Sequence, residues 1–264
     1  MEMNLLLQPV RSSLGSKYVM AMTGLFLMFF VVVHMSGNML IYGGHDALNS
    51  YAAALKYRPA VLWIFRFVLL VVFLIHIVLG IRLALQNSAA RPIPYRYEDT
   101  LQATWASRHM LLTGMLILAF TIYHLAHFTF GVVAGAEVPG PDSKPPVWKN
   151  YLDLYEVREP GQLHFQPRAN VAPAHLPPNV EVRHNVFAMV VAGFRNPWIT
   201  LSYLVAMAFL GLHLWHGGSS WFQSLGMNHP RWNPFIRGFG PVLAVIVVAG
   251  NCSIPLSVLL GIVK

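Results

Sequence analysis

Five long apolar runs divide the chain, at residues 18–42, 61–85, 110–134, 198–222 and 239–263. Each is about 25 residues, enough for a helix to cross a hydrocarbon core of about 30 Å with some tilt. Their interiors are nearly free of charge, with Arg66 and Arg82 near the two ends of the second run. The pattern predicts an all-α integral membrane protein, a single domain built as a bundle of five transmembrane helices. The first run is too long for the apolar core of a secretory signal, so it reads as a retained helix.

The connections are polar and rich in helix breakers. Residues 12–17 form a short polar lead-in. Residues 46–59 make a first loop, expected to be partly helical through Tyr51, Ala52, Ala53, Ala54 and Leu55. Pro92 and Pro94 are expected to end the second helix within the loop 87–108, and Pro230 and Pro234 lie in a tight connection at 228–238. Residues 136–195 differ from the rest. They hold nine of the eighteen prolines and six of the ten acidic residues. Loops of this length are either functional or disordered. Trp148, Tyr151, Leu152, Leu154, Tyr155 and Phe165 give the segment enough apolar content to expect an ordered cap. A short interfacial helix is expected at 186–194, and Asn196-Pro197 should start the fourth span.

Composition agrees with the pattern. The chain is 56% hydrophobic and only 11% charged, with a mean hydropathy of +0.53, against about 25% charged residues in soluble domains. The net charge of +8 does not imply nucleic acid, because the basic residues lie in the connections. Arg11, Lys17, Arg82, Arg91, Arg96, Arg108, Arg231 and Arg237 fall on one side of an alternating topology. Lys56, Arg58, Arg66 and Lys264 fall on the other. The positive-inside rule therefore predicts a cytoplasmic N-terminus and an external C-terminus, with the long segment 136–195 outside. Cys252 is the one cysteine, which excludes a disulfide framework, a thiolate iron–sulfur site and covalent haem attachment.

Twelve histidines then change the picture. His34, His76, His124 and His213 fall deep inside four different apolar runs. A polar ring in a bilayer costs several kcal/mol unless something binds it. His34 and His124 lie about 16 and 14 residues into spans that run outward, so both sit in the outer half. His76 and His213 each lie about 15 residues into spans that return, so both sit in the inner half. At 1.5 Å rise per residue, the two levels are on the order of 10–15 Å apart. Two haem b groups, an inner one on His76 and His213 and an outer one on His34 and His124, would give all four rings a purpose. His76 and His213 each begin H-x-x-x-G, and a glycine one turn on leaves room for a flat macrocycle. Gly37 is expected to serve the outer group likewise, whereas Gly114 faces differently. His127 and His216, each one turn nearer a membrane surface, are rivals to His124 and His213. They are expected to meet a propionate, a quinone or interfacial water. His45, His109 and His229 lie in or beside loops, and His164, His175 and His184 are spread through the Pro-rich segment.

At these residues the chain resembles the five-helix, two-haem cytochrome b membrane anchor of succinate:quinone oxidoreductase, shared by succinate dehydrogenases and fumarate reductases (complex II). The matching segments are 12–38 (SSLGSKYVMAMTGLFLMFFVVVHMSGN), 74–80 (LIHIVLG), 113–128 and 212–226 (LHLWHGGSSWFQSLG). The resemblance implies haem ligation by His34, His76, His124 and His213. It implies a flavoprotein subunit and an iron–sulfur subunit on the cytoplasmic face of a prokaryotic cell membrane. It also implies a membrane quinone, expected to be menaquinone, as the electron acceptor or donor. No FAD, iron–sulfur or dinucleotide motif occurs, so the chain alone would not oxidise succinate. Lys17, Ser12, Ser13 and Arg82 are candidate propionate or docking contacts, and Asn38, Tyr42 and His127 a candidate quinone pocket. Two features depart from the family: the segment 136–195 is longer, and no Asp or Glu lies inside any span. The alternatives are the cytochrome b anchor of a hydrogenase or formate dehydrogenase, and a histidine-relay transporter. A transporter would show internal repeats; there is a faint echo of Tyr123–Phe128 (YHLAHF) in Leu212–Gly217 (LHLWHG). An intramembrane protease would need H-E-x-x-H or a base for Ser219 or Ser220, and neither is evident.

Overall fold

A computed structural model describes residues 12–90, 93, 103–138, 147–168, 176–227 and 229–264. Arg11, Arg91, Pro92, Pro94, Arg96, His175 and Asn228 lie outside the described residues. All five apolar runs are helical, and the chain is an all-α multi-pass membrane protein. The long helices are α1 (Ser13–Asn38), α3 (Pro59–Ala89), α5 (Met110–His124), α7 (Pro197–Ser224) and α8 (Asn233–Leu259). Short helices are α2 (His45–Lys56), α4 (Trp105–Arg108) and α6 (Val186–Phe194).

Local chemistry sets the helix ends. Ser12 Oγ accepts from the Gly15 amide at 3.0 Å, so it caps α1. Pro59 and Pro197 open α3 and α7 where their missing N–H costs nothing, and Asn196 Oδ1 accepts from the Trp198 amide at 2.9 Å. The third span departs from expectation. Its α-helix gives way to a π turn at Leu125–Thr129, and the helix stops before Gly131 at φ +63°. Residues 131–134 are apolar but not part of the span. The fifth helix begins at Asn233, earlier than hydropathy indicated, and ends before Gly261 at φ +70°. The Ile262 amide turns back to the Ser257 carbonyl at 2.8 Å, a glycine-terminated cap that apolar Ile262 and Val263 conceal.

By contact the chain divides into two compact units, and all five long helices contribute to both. The first unit holds Met1–His34, Trp63–Ile117 and Met207–Ala249. It gathers the starts of α1, α5 and α8 with the ends of α3 and α7, the alternation that five successive crossings require. Leu214, Ala244 and Val247 form its buried cluster, with Met28, Val31 and Val32 against them. Here α7 and α8 approach closely: a Cβ on Gly218 would come 2.9 Å from Gly240 Cα. The Gly240 amide donates to Ser219 Oγ at 3.1 Å. Small residues at such a crossing let backbones meet where lipid supplies no hydrophobic drive.

The second unit holds Met35–Leu62, Leu118–Ala206 and Gly250–Lys264. Within it, the described residues of the long connection fold into short strands and α6. Strands β1 (Gly135–Val138) and β2 (Val147–Asn150) pair antiparallel, and β3 (Tyr155–Arg158) pairs antiparallel with β4 (Gln166–Arg168) and β5 (Glu181–His184). Helix α6 forms at the residues expected and packs on protein. Met189, Val191 and Phe194 are buried, with Tyr151 and Leu154 on one side and Ile41, Leu48, Tyr203, Ile254 and Val258 on the other. A polar clamp joins this segment to α2. Arg183 donates to Asp46 and Ser50, at 2.6 and 2.7 Å, and to the buried Glu156. Asn49 donates to Asn185 Oδ1 at 3.1 Å and accepts from the Phe187 amide at 2.8 Å.

Candidate haem-ligand site

His76 on α3 and His213 on α7 come together in the first unit. Their ring centres are 6.3 Å apart and the planes cross at 69°. Each ring is held at Nδ1 by a threonine from another helix. Thr23 Oγ1 of α1 lies 3.1 Å from His76 Nδ1, and Thr113 Oγ1 of α5 lies 3.2 Å from His213 Nδ1. Both hydroxyls already have carbonyl acceptors one turn back. Thr23 donates to Val19 O at 2.8 Å, and Thr113 to His109 O at 3.1 Å. With its proton on the carbonyl, each hydroxyl is placed to accept Nδ1–H of the imidazole. In that arrangement Nε2 is the basic nitrogen, as in metal-bound histidines, whose second nitrogen commonly donates to an outer partner.

The glycines beside these threonines face the same rings. A Cβ on Gly24 would lie 3.3 Å from His76 Cε1, and one on Gly114 would lie 3.5 Å from His213 Cε1. Gly80 and Gly217, the glycines of the two H-x-x-x-G segments, face Met20 and Met110, whose methyls would lie 3.2 and 4.0 Å from an added Cβ. The contacts expose a repeat that the sequence carries openly. M-x-x-T-G occurs at Met20–Gly24 and Met110–Gly114, and each threonine precedes a histidine by the same interval, Thr23 to His34 and Thr113 to His124. Two glycine assignments therefore change. Gly114, facing away from His124 as expected, lies beside His213 of the neighbouring helix. The space at Gly80 takes a methionine methyl. Gly37 accommodates Tyr51, whose ring would lie 2.6 to 2.8 Å from a Cβ, so it offers no room for a macrocycle.

The spacing of the pair matches that of two imidazoles on one iron. Two imidazoles sharing one iron hold their ring centres about 6 Å apart, from two metal–nitrogen bonds of about 2 Å plus the ring radii. Both rings are half-buried, so protein packing leaves part of each uncovered. Helix α3 buries one residue, Leu79, of its 31. His216, one turn beyond His213, makes no hydrogen bond among the described residues. No group of three or more His, Cys, Asp or Glu converges among the described residues; a bis-histidine site needs only two.

His34 lies at the end of the first unit's part of α1. It is exposed and stacks with Phe30, at 5.5 Å between centres and 20° between planes. His124 belongs to the second unit and is half-buried, with Nδ1 3.2 Å from the Tyr203 hydroxyl. His127, expected to meet a propionate, a quinone or water, is instead fully buried and bonds the same hydroxyl at 2.8 Å. Tyr42 pairs with Ser257 at 2.9 Å. Of the three residues of the candidate quinone pocket, His127 is the one with no exposed surface.

Three further histidines have structural partners. His109 stacks on Trp105 at 4.1 Å and bonds its carbonyl. His184 Nε2 donates to Tyr151 O at 2.8 Å, and burial holds its pKa below 6.5. His45 lies 3.9 Å from Glu156. Arg66 sits over Trp63 at 5.0 Å, which accounts for a charge near a span end. Ser12 serves as a helix cap, and Lys17 is exposed. The chain matches no family model, no curated protein and no solved structure.

Proposed function

We propose that the chain is the di-haem cytochrome b membrane anchor of a succinate:quinone oxidoreductase, passing electrons between an iron–sulfur subunit and a membrane quinone, expected to be menaquinone. The observation that carries this reading is the His76–His213 pair, two intramembrane imidazoles 6.3 Å apart with Nδ1 of each tied to a threonine. A histidine relay or an ordinary interhelical contact would not need two matched threonines. His76 and His213 would hold the inner haem. His34 and His124, paired by their depth along the sequence, would hold the outer one.

Haem bound by four imidazoles would supply two one-electron carriers that change charge without moving a proton. The protein supplies the rest. Thr23 and Thr113 hold the rings in one tautomer and orientation. Gly24 and Gly114 keep the space beside them clear. The apolar spans, nearly free of charge in their interiors, exclude water, which disfavours the more highly charged oxidised form and raises its potential. The absence of Asp and Glu from every span leaves no carboxylate route for protons alongside the electrons. A flavoprotein and an iron–sulfur subunit on the cytoplasmic face would supply or receive the electrons, with the N-terminus on that face of a prokaryotic cell membrane.

A pyridine haemochrome assay on the purified chain should give about two haem b per polypeptide, extractable with acid acetone. A ratio near zero, or covalent haem, would end the proposal. A gentle-detergent purification with mass spectrometry and a succinate–quinone assay tests the partners. Recovery of the haem-loaded chain alone from fresh membranes would instead indicate an independent cytochrome.

A further inference from the structure

One hydroxyl serves two histidines at the end of α5. Tyr203 Oη lies 3.2 Å from His124 Nδ1 and 2.8 Å from His127 Nδ1. A phenol has one proton, so at most one ring receives it and the other must donate to the oxygen. An imidazole that binds iron through Nε2 carries its remaining proton on Nδ1. With His124 as the ligand, its Nδ1–H donates to Tyr203 Oη, and the phenol proton goes to His127 Nδ1. The two rings then hold opposite tautomers, and His127 has its lone pair engaged with Tyr203.

The surroundings reinforce the difference. His127 is fully buried, stacked on Phe128 at 3.9 Å between ring centres, and its Nε2 has no hydrogen-bond partner. Gly193 of α6 closes over that nitrogen: a Cβ there would lie 3.2 Å from His127 Nε2. His124 keeps part of its ring uncovered. Tyr203 is itself held rigidly, edge-on to Phe194 at 4.9 Å and to Phe120 at 5.0 Å, and it is 6% exposed.

We infer that Tyr203 is a positioning residue that selects His124 over His127 as the axial ligand and sets the potential of the haem His124 holds. The inference rests on the haem reading above. A hydrogen bond accepted from Nδ1–H makes the imidazole a stronger donor and favours ferric iron. Tyr203→Phe keeps the ring packing and removes the acceptor. In the full chain, purified with whatever subunits accompany it, redox titration followed by electron paramagnetic resonance should show both haems. One low-spin signal and its midpoint potential should move, the potential upward, while the inner component keeps its values. His127→Leu should keep two haems, whereas His124→Leu should lose one. An unmoved signal and potential in Tyr203→Phe overturns the inference, and so does loss of a haem in His127→Leu with retention in His124→Leu. If Tyr203→Phe disturbs both haems together, the His127→Leu and His124→Leu pair decides. A wild-type chain without haem overturns the inference and the reading beneath it together, an outcome distinct from two haems with no response to Tyr203→Phe.

Discussion

Thr23 and Thr113 show how a ligand site is settled by atoms outside its ligands. Each hydroxyl has a backbone carbonyl in reach of its proton and a histidine Nδ1 in reach of its lone pair. Valine has nearly the shape of threonine but neither donor nor acceptor. Thr23→Val and Thr113→Val should therefore preserve the helices while freeing Nδ1 of His76 and His213. Outer partners of metal-bound histidines are worth on the order of 10- to 100-fold in affinity. Both variants should lose the same haem faster in a transfer assay to apomyoglobin, and both should raise the same midpoint potential. Responses from two different haems would refute the pairing of His76 with His213. His216→Ala should leave that haem in place; if it alone removes the haem, the ligand on α7 is one turn away. At this scale much of the site was legible. Four histidines stood out because burying an unbound ring is costly. The M-x-x-T-G repeat was equally visible but carried no meaning until the threonines were seen beside rings on other helices.

At the scale of elements, helix ends and crossings depart most from a hydropathy reading. Apolar letters ran on to residues 134 and 263, yet α5 and α8 stop earlier, because glycines at φ +63° and +70° turn the chain. Hydropathy records preference for lipid, not backbone conformation. The crossing of α7 and α8 is decided by backbone too. A Cβ on Gly240 would press on the Trp215 carbonyl oxygen and would lie 3.0 Å from the Ser219 amide nitrogen. Backbone atoms inside a helix cannot move aside as a flexible side chain can. Gly240→Ala should cost about 1–3 kcal/mol, seen as a lower melting temperature in detergent and release of haem on mild heating. Gly226→Ala bears on a different constraint, φ +78° with open space around it, so its effect should stay local to the turn after α7. Equal thermal losses from both variants would argue against the close crossing.

At the scale of the whole molecule, the connection between α5 and α7 is not a passive tether where it is described. Arg183 binds Glu156 of β3 and Asp46 and Ser50 of α2. The two acidic partners are not equal. Glu156 is 1% exposed, so Arg183→Ala strands a buried carboxylate and should cost about 3–5 kcal/mol locally. Asp46 is 67% exposed, and Asp46→Asn should cost no more than about 1 kcal/mol. Limited proteolysis of the intact membrane protein should show rapid cleavage of the segment in Arg183→Ala and near wild-type resistance in Asp46→Asn. The reverse order would discount the clamp. Acidification should loosen the same region in two stages. His184 is neutral in the fold, its pKa lowered from 6.5 mainly by burial, against the bond to Tyr151 O and the charge of Asp153 and with that of Lys56. A depressed pKa means that stability is complete above 6.5 and declines as pH falls from there through the folded value. The Asp46 carboxyl, held below 3.8 chiefly by its bond to Arg183, contributes a loss only at lower pH. Protease sensitivity should thus rise as the pH falls below 6.5, and His184→Gln should flatten that rise.

The sequence alone determined the membrane class, five crossings, their alternation and four deep histidines. These follow from properties a linear chain carries: transfer free energy summed over about 20 residues, and the fixed rise of a helix, which turns residue number into depth. It also marked α6 and the fourth span's start, because Asn196-Pro197 and the apolar stretch before it are local signals. Only the tertiary structure decided which neighbour each ring meets. The bonds from Thr23 to His76 and from Thr113 to His213 join residues 53 and 100 positions apart, and Tyr203 reaches back 76 positions to His127. It also decided that His127 is sealed by Gly193 and that Gly37 makes way for Tyr51. Hydrogen-bond direction, tautomer and steric closure depend on a second chain segment at a definite distance, and nothing in the local pattern of either segment specifies the other.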